Sequence, residues 1–194
     1  MVFECCIHGS TIFQLPLAKT TMHIKNVEFK ARIADWKTLE AKLVTLNPVF
    51  QGTDHQVDTY FNVPKGRLKL REGSIEHALI QYERGNTADA KASDIVLYQH
   101  EPNPALKQIL THQFGIKVVI DKQRKIYFID HVKFHFDVVE GLGNFIEVEA
   151  IDAKNEFTLE ELKRKCDHYF AFFELQKEHL EALSYSDLLL LKLK

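Results

Sequence analysis

Charged residues recur at every second position in four stretches of the chain. Glu28, Lys30 and Arg32 form the first, and Arg67, Lys69 and Arg71 the second. Lys133, His135 and Asp137 form the third, and Glu147 and Glu149 the fourth. The cations cluster in one stretch, and the carboxylates pair as Glu-x-Glu in another. Separated clusters of opposite sign suit a polyanion bound with its metal. Arg and Lys hydrogen-bond phosphate oxygens, and carboxylates hold a hard divalent cation such as Mg2+ or Mn2+. Crowded carboxylates raise one another's pKa, and a bound cation removes that penalty. Glu28, Asp137, Glu147 and Glu149 are therefore the candidate metal ligands. This is an oxygen-only set, which favours Mg2+ or Mn2+ over zinc. The leading phosphate binders are Lys69, Arg71 and Arg84, with Lys30, Lys122, Arg124 and Lys133 behind them. His135 is either a proton relay or a hydrogen-bonded structural imidazole. Lys91, in a small polar stretch, either closes over a substrate or idles on a loop.

These side chains need strands to align them. The parity opposite the charges is apolar: Val27, Phe29 and Ala31; Leu68 and Leu70; Val132, Phe134, Phe136 and Val138; Ile146, Val148 and Ala150. An antiparallel sheet packs one face on a core and turns the other to water. If the sheet curls with its apolar face outward under helices, the charges line a cavity. If it stays open, they form a solvated face. Further strands are expected over residues 56–61, 79–84, 117–121 and 125–130, with a Gly-Leu-Gly turn at 141–143. Asp35 and Asn103 are placed to cap helices, the second with Pro104 at its first position and Gly115 after its end. Thr158 and Glu161 have capping-box spacing. Beyond the helix they start, a shorter helical pattern ends in Ser184-Tyr-Ser-Asp-Leu-Leu.

The chain has 194 residues and a formal net charge of −2, which argues against a dedicated nucleic-acid binder. Three cysteines, two of them adjacent, make no disulfide framework and point to a reducing, cytoplasmic compartment. No apolar run reaches the ~20 residues of a membrane helix. Residues 1–21 show no sustained period and are expected to be a flexible extension, either upstream of a true start at Met22 or a native arm. One domain is expected over 22–194.

With these motifs in place, the sequence resembles the CYTH family, the triphosphate tunnel metalloenzymes, and within it the class IV adenylate cyclase branch. The family's Glu-x-Glu-x-Lys signature falls on Asn26-Val-Glu28-Phe-Lys30, with Asn26 in place of the first Glu. The likeness continues in order through Asp58–Phe61, Gly66–Arg71, Tyr82–Arg84, Lys91–Asp94, Lys133–Gly143 and Phe145–Ala150. It implies an α+β fold: a closed antiparallel barrel of about eight strands with a charged interior and helices outside. It also implies Mg2+ or Mn2+ and a triphosphate substrate, ATP first. The activity expected is a metal-dependent adenylate cyclase, with Lys30, Arg84 and His135 catalytic. Lys69, Arg71, Arg84, Lys91, Lys122, Arg124 and Lys133 then bind triphosphate. A triphosphatase acting on thiamine triphosphate, inorganic triphosphate or a nucleotide is the alternative. A polyphosphate-binding module without turnover is the third reading, kept open by Asn26. No nucleic-acid or membrane partner is expected, and a homodimer is left open.

Overall fold

Alternation at period two does produce strands here, and their order decides which side chains meet. The computed structural model describes residues 25–83, 91, 92, 94–152 and 154–193. The expected extension over 1–21 lies outside them. The elements run β1 (Lys25–Arg32), α1 (Trp36–Val44), β2 (Val49–Phe61), β3 (Arg67–Glu72), β4 (His77–Glu83), β5 (Lys91–Ala92) and β6 (Asp94–Gln99). They continue with α2 (Pro104–Phe114), β7 (Ile116–Ile129), β8 (Val132–Val139), β9 (Gly143–Asp152), α3 (Leu159–Phe172) and α4 (Tyr185–Lys192).

The nine strands form one antiparallel sheet in the order β5-β1-β9-β8-β7-β2-β3-β4-β6. Its two edges, β5 and β6, are separated in the chain only by residue 93. The sheet must therefore curl until one stretch of chain reaches both sides. β5 pairs with Val27 and Glu28 of β1, while β6 pairs with all of β4 except His77. The closed barrel expected from the resemblance is met in part. The sheet curls, but no ladder joins β5 to β6 among the described residues. β5 is two residues long, so the rest of β1's free edge takes other partners. The Glu181 N–H donates to the Lys30 carbonyl at 2.8 Å, and Ala31 bridges to Leu180.

The apolar parity faces outward under the helices. Val27, Phe29, Phe134 and Val148 pack against Leu162, Cys166, Tyr169 and Phe173 of α3 and the residue that follows it. Phe134 meets Tyr169 edge-on at 4.7 Å. Each such fully buried large apolar side chain contributes about 1.5–3 kcal/mol. α3 starts at the capping box: the Glu161 N–H donates to Thr158 Oγ1 at 3.2 Å, and the Thr158 N–H to Glu161 Oε2 at 2.8 Å. α1 is capped by Asp35 and α2 by Asn103, as their positions suggest.

Three expectations change. The strands expected over 117–121 and 125–130 are one 14-residue strand, because no Gly or Pro interrupts Asp121–Lys125 and the alternation runs through it. The strand expected over 56–61 starts at Val49, with a register shift between Phe50 and Gly52. The helical pattern expected to end in Ser184-Tyr-Ser-Asp-Leu-Leu instead begins there: α4 runs Tyr185–Lys192 and is capped by Ser184, whose hydroxyl accepts from the Asp187 N–H at 3.1 Å. No helix among the described residues is long and apolar enough to cross a membrane.

Candidate functional site

With the apolar parity turned outward, the charged parity lines a cavity of about 540 Å³. That lies within the range of roughly 300–1,000 Å³ usual for small-molecule sites. β1 brings Asn26, Glu28 and Lys30 to it, and β3 brings Lys69 and Arg71. β7 brings Lys122 and Arg124, β8 brings Lys133 and His135, and β9 brings Glu147 and Glu149. These residues fall into three groups.

The first is built around Asp58 of β2, a carboxylate 1% exposed. Arg71 grips it with Nε at 2.8 Å and Nη2 at 3.0 Å. Lys69 Nζ lies at 2.9 Å and Lys122 Nζ at 3.2 Å. Burial alone would raise the Asp58 carboxyl, but Arg71, Lys122 and Lys69 hold it well below the usual carboxylate range. Burial and the nearby Arg124 push the Lys122 ammonium down to about 7, against the pull of Asp58. Glu76 joins this group from the β3–β4 turn. Its carboxylate accepts from Arg71 Nη1 at 2.8 Å and Lys133 Nζ at 2.6 Å. Asp54 builds that turn by accepting the N–H groups of Ser74, Ile75 and Glu76. Gly73 is required there, since a Cβ would sit 2.6 Å from the Glu76 carbonyl oxygen and 2.8 Å from the Asp54 carboxylate.

The second group is centred on Arg124. Its guanidinium is bidentate on Asp137, with Nε 2.7 Å from Oδ1, and Nη2 also donates to Glu147 Oε2 at 2.6 Å. Asp137 accepts a further bond from the Tyr185 hydroxyl at 2.8 Å. Asp137, expected as a metal ligand, accepts from Arg124 with both oxygens, as Glu147 Oε2 also accepts from Arg124, and it lies outside the group of ligand atoms formed by His135, Glu147 and Glu149.

The third group is acidic. Glu149 lies opposite Glu28 on one side of β9 and Lys133 on the other. Burial and the carboxylates of Glu28 and Glu147 push Glu149 up to about 7. His135 lies opposite Glu147, and its Nδ1 is 3.5 Å from Glu147 Oε2 and 3.4 Å from Glu149 Oε1. Burial and the positive charge of Arg124 and Lys133 pull His135 down to about 3, so the imidazole is neutral near pH 7. Ligand atoms of His135, Glu147 and Glu149 all lie within 4.8 Å of one another. Both His135 ring nitrogens and Asn26 Oδ1 are buried without a hydrogen-bond partner among the described residues. A neutral imidazole keeps one acceptor nitrogen, and that atom with Asn26 Oδ1, both beside crowded carboxylates, fits a divalent cation.

Of the other expected site residues, Lys30 is in the lining, its Nζ donating to the Leu183 carbonyl at 2.6 Å and lying 4.4 Å from the Tyr185 ring centroid. Glu28 is in the lining too, accepting from Asn26 Nδ2 at 3.3 Å. Arg84 lies outside the described residues. For Lys91 only the backbone is described, paired with Glu28. Sequence reasoning missed Asp58, Glu76 and Tyr185. Asp58 shares a parity with Gln56 and Tyr60, a signal that was legible. Glu76 sits in an irregular turn with no period to read.

Next to the cations of β3, where Ile80 pairs with Lys69 and Ala78 with Arg71, β4 and β6 present an apolar side: Ala78, Ile80, Ile95 and Leu97, with Tyr60 and Tyr82 beside them. One cavity thus joins a cationic wall, a carboxylate–imidazole cluster and an apolar wall.

The CYTH domain model matches residues 25–182. A similar protein is the adenylate cyclase CyaB of Aeromonas hydrophila, 28% identical over 171 residues, covering 84% of this chain and 87% of the relative. A conserved hypothetical protein from Pyrococcus furiosus superposes with a TM-score of 0.73 at 25% identity, covering 84% of this chain and 98% of that one. HpAC1 from Hippeastrum, a protein with a dominant triphosphatase activity, shares the fold with a TM-score of 0.59 at 12% identity, over 87% of this chain and 95% of its own.

Proposed function

The chain belongs to the CYTH family, metal-dependent enzymes acting on triphosphates, and we propose that it is an adenylate cyclase converting ATP to cyclic AMP and pyrophosphate. The observation that carries this reading is the pairing of the two walls in one cavity. An inorganic triphosphate needs only the cations. The apolar side of Ala78, Ile80, Ile95 and Leu97 suits the flat face of a nucleobase. The likeness to CyaB points the same way.

In this reading the triphosphate lies along Lys69, Arg71, Lys122, Arg124 and Lys133. Its oxygens replace part of what Asp58 and Glu76 supply to those cations in the free protein. Arg124 lines the cavity with its guanidinium held by Asp137, which Tyr185 bonds in turn, so little reorganisation is needed as charge develops. Glu147, Glu149 and Glu28 would hold Mg2+ or Mn2+, which when bound polarises the α-phosphate and lowers the pKa of the ribose hydroxyl. The ribose 3′-hydroxyl gives up its proton to water as its oxygen attacks the α-phosphorus, the bond to the bridging oxygen breaks, and pyrophosphate leaves stabilised by Arg and Lys. Lys30 is held by Leu183 and Tyr185 at the edge of this wall, where its charge faces the leaving group. Arg84 and Lys91 keep the triphosphate-binding roles that the family resemblance implies.

The test is incubation of the purified protein with ATP and Mg2+ or Mn2+, followed by identification of products. Cyclic AMP with pyrophosphate is the expected result. ADP with phosphate, or hydrolysis of tripolyphosphate in preference to ATP, would make the protein a triphosphatase. Tight binding with no product would leave a polyphosphate-binding module.

A further inference from the structure

The carboxylate pair on β9 is not alone at its end of the cavity. The β8–β9 ladder sets His135 directly opposite Glu147. The ring is 1% exposed, and neither nitrogen has a hydrogen-bond partner among the described residues. Its Nδ1 lies 3.4 and 3.5 Å from one oxygen of each glutamate. That is long for a hydrogen bond. It is close to the edge of an octahedron, about 3 Å for ligands ~2.1 Å from a shared cation. Asn26 Oδ1, lining the same cavity from β1, is a further buried atom without a partner among the described residues.

We propose that His135 is a direct ligand of the cation, completing with Glu147 and Glu149 a mixed nitrogen–oxygen site that selects a first-row transition-metal dication over Mg2+. The inference rests on the reading of this cavity as a metal-dependent triphosphate site. Mg2+ favours oxygen donors and dehydrates reluctantly. An imidazole nitrogen is a better donor to transition metals, and geometry and ligand type rather than charge then set the preference. Asn26 strengthens the bias, since an amide brings an oxygen without the charge that a hard cation would gain from a carboxylate. His135 thereby acts through its lone pair rather than as a proton relay.

The test uses the whole protein, stripped with chelator and loaded with Mn2+, with pulsed electron paramagnetic resonance as the readout. The expected spectrum carries the coupling of a directly bonded nitrogen, and that coupling changes when histidine is supplied labelled with ¹⁵N. His135→Asn should abolish it and lower the preference for Mn2+ over Mg2+ in competition binding by about tenfold, as ligand type predicts. The isotope comparison needs only wild-type protein, so it decides the matter even if the variant does not fold. Mn2+ bound with no histidine coupling would overturn the inference and leave an oxygen-only site. Coupling that persists in folded His135→Asn would assign another histidine and overturn it equally. Failure to bind Mn2+ at all would overturn both this inference and the metal-dependent reading beneath it.

Discussion

Asp58→Asn removes one charge from the most crowded point of the cationic wall while keeping the side chain's shape. In the native cavity that carboxylate accepts from Arg71 twice, from Lys69 and from Lys122, and it is 1% exposed. Breaking a buried ion pair by removing one partner costs about 3–5 kcal/mol, because the remaining charges stay buried and uncompensated. For a domain of this size each kcal/mol is worth about 2–4 °C, so the melting temperature should fall by roughly 6–20 °C. A polyanion can supply the missing charge. Tripolyphosphate without metal should therefore raise the melting temperature of Asp58→Asn more than that of wild type, since a ligand that binds only the folded state stabilises it by RT ln(1 + [L]/Kd). The pH dependence has a definite sign. The folded pKa of Asp58 is depressed. Its contribution is thus fully present above the unfolded value of about 3.9 and is lost as pH falls below that, through the folded value. The wild-type advantage over Asp58→Asn should shrink on acidification in that window, and shrink again as pH rises through about 7, where Lys122 gives up the proton that Asp58 favours. Differential scanning calorimetry across pH, with and without tripolyphosphate, measures all three effects. A variant that melts within about 2 °C of wild type at neutral pH and gains no more from tripolyphosphate would refute the claim that Asp58 holds the wall in place of phosphate.

Glu149→Gln should keep the fold and lose about 10²-fold or more in turnover, the scale of several kcal/mol of metal charge stabilisation; equal activity across a metal titration would contradict this. Ile80→Ser, on the apolar wall, should weaken ATP binding in calorimetry while leaving tripolyphosphate binding unchanged, and parallel losses for both ligands would remove the case for a nucleobase there. Gly73→Ala has no room between the Glu76 carbonyl and Asp54, so the turn must shift and carry Glu76 away from Arg71 and Lys133. A lower melting temperature is expected, and an unchanged one would show that the turn is not fixed by Asp54.

The sequence made the strands legible because period two is local: Val27, Phe29 and Ala31 against Glu28, Lys30 and Arg32 require no knowledge of the rest of the chain. Whether that charged parity faced water or a cavity was not local. It was settled by residues 91–99 reaching both β1 and β4, a pairing that no window of sequence contains. The start of α4 was legible and misread, for Ser184 and Asp187 have the spacing of a cap. Glu76 could not be read, because its place depends on Asp54 collecting three consecutive N–H groups from across the hairpin.

Which side chain faces Glu147 turns on a two-residue step of register, one residue in the centre of the hairpin. Lys133, His135 and Asp137 share a parity, so alternation alone allows any of them to face Glu147. A turn centred on Leu142 would set Asp137 there. The observed turn is centred on Gly141, which takes a φ of 72°, and pairs Val139 with Gly143. That choice sets His135 opposite Glu147 and moves Asp137 along the strand to Phe145, where its carboxylate meets Arg124 and Tyr185 instead. A left-handed φ is open to glycine and costly for leucine, so the preference for a turn on Gly141 follows from backbone physics. An imidazole among the carboxylates is its direct consequence.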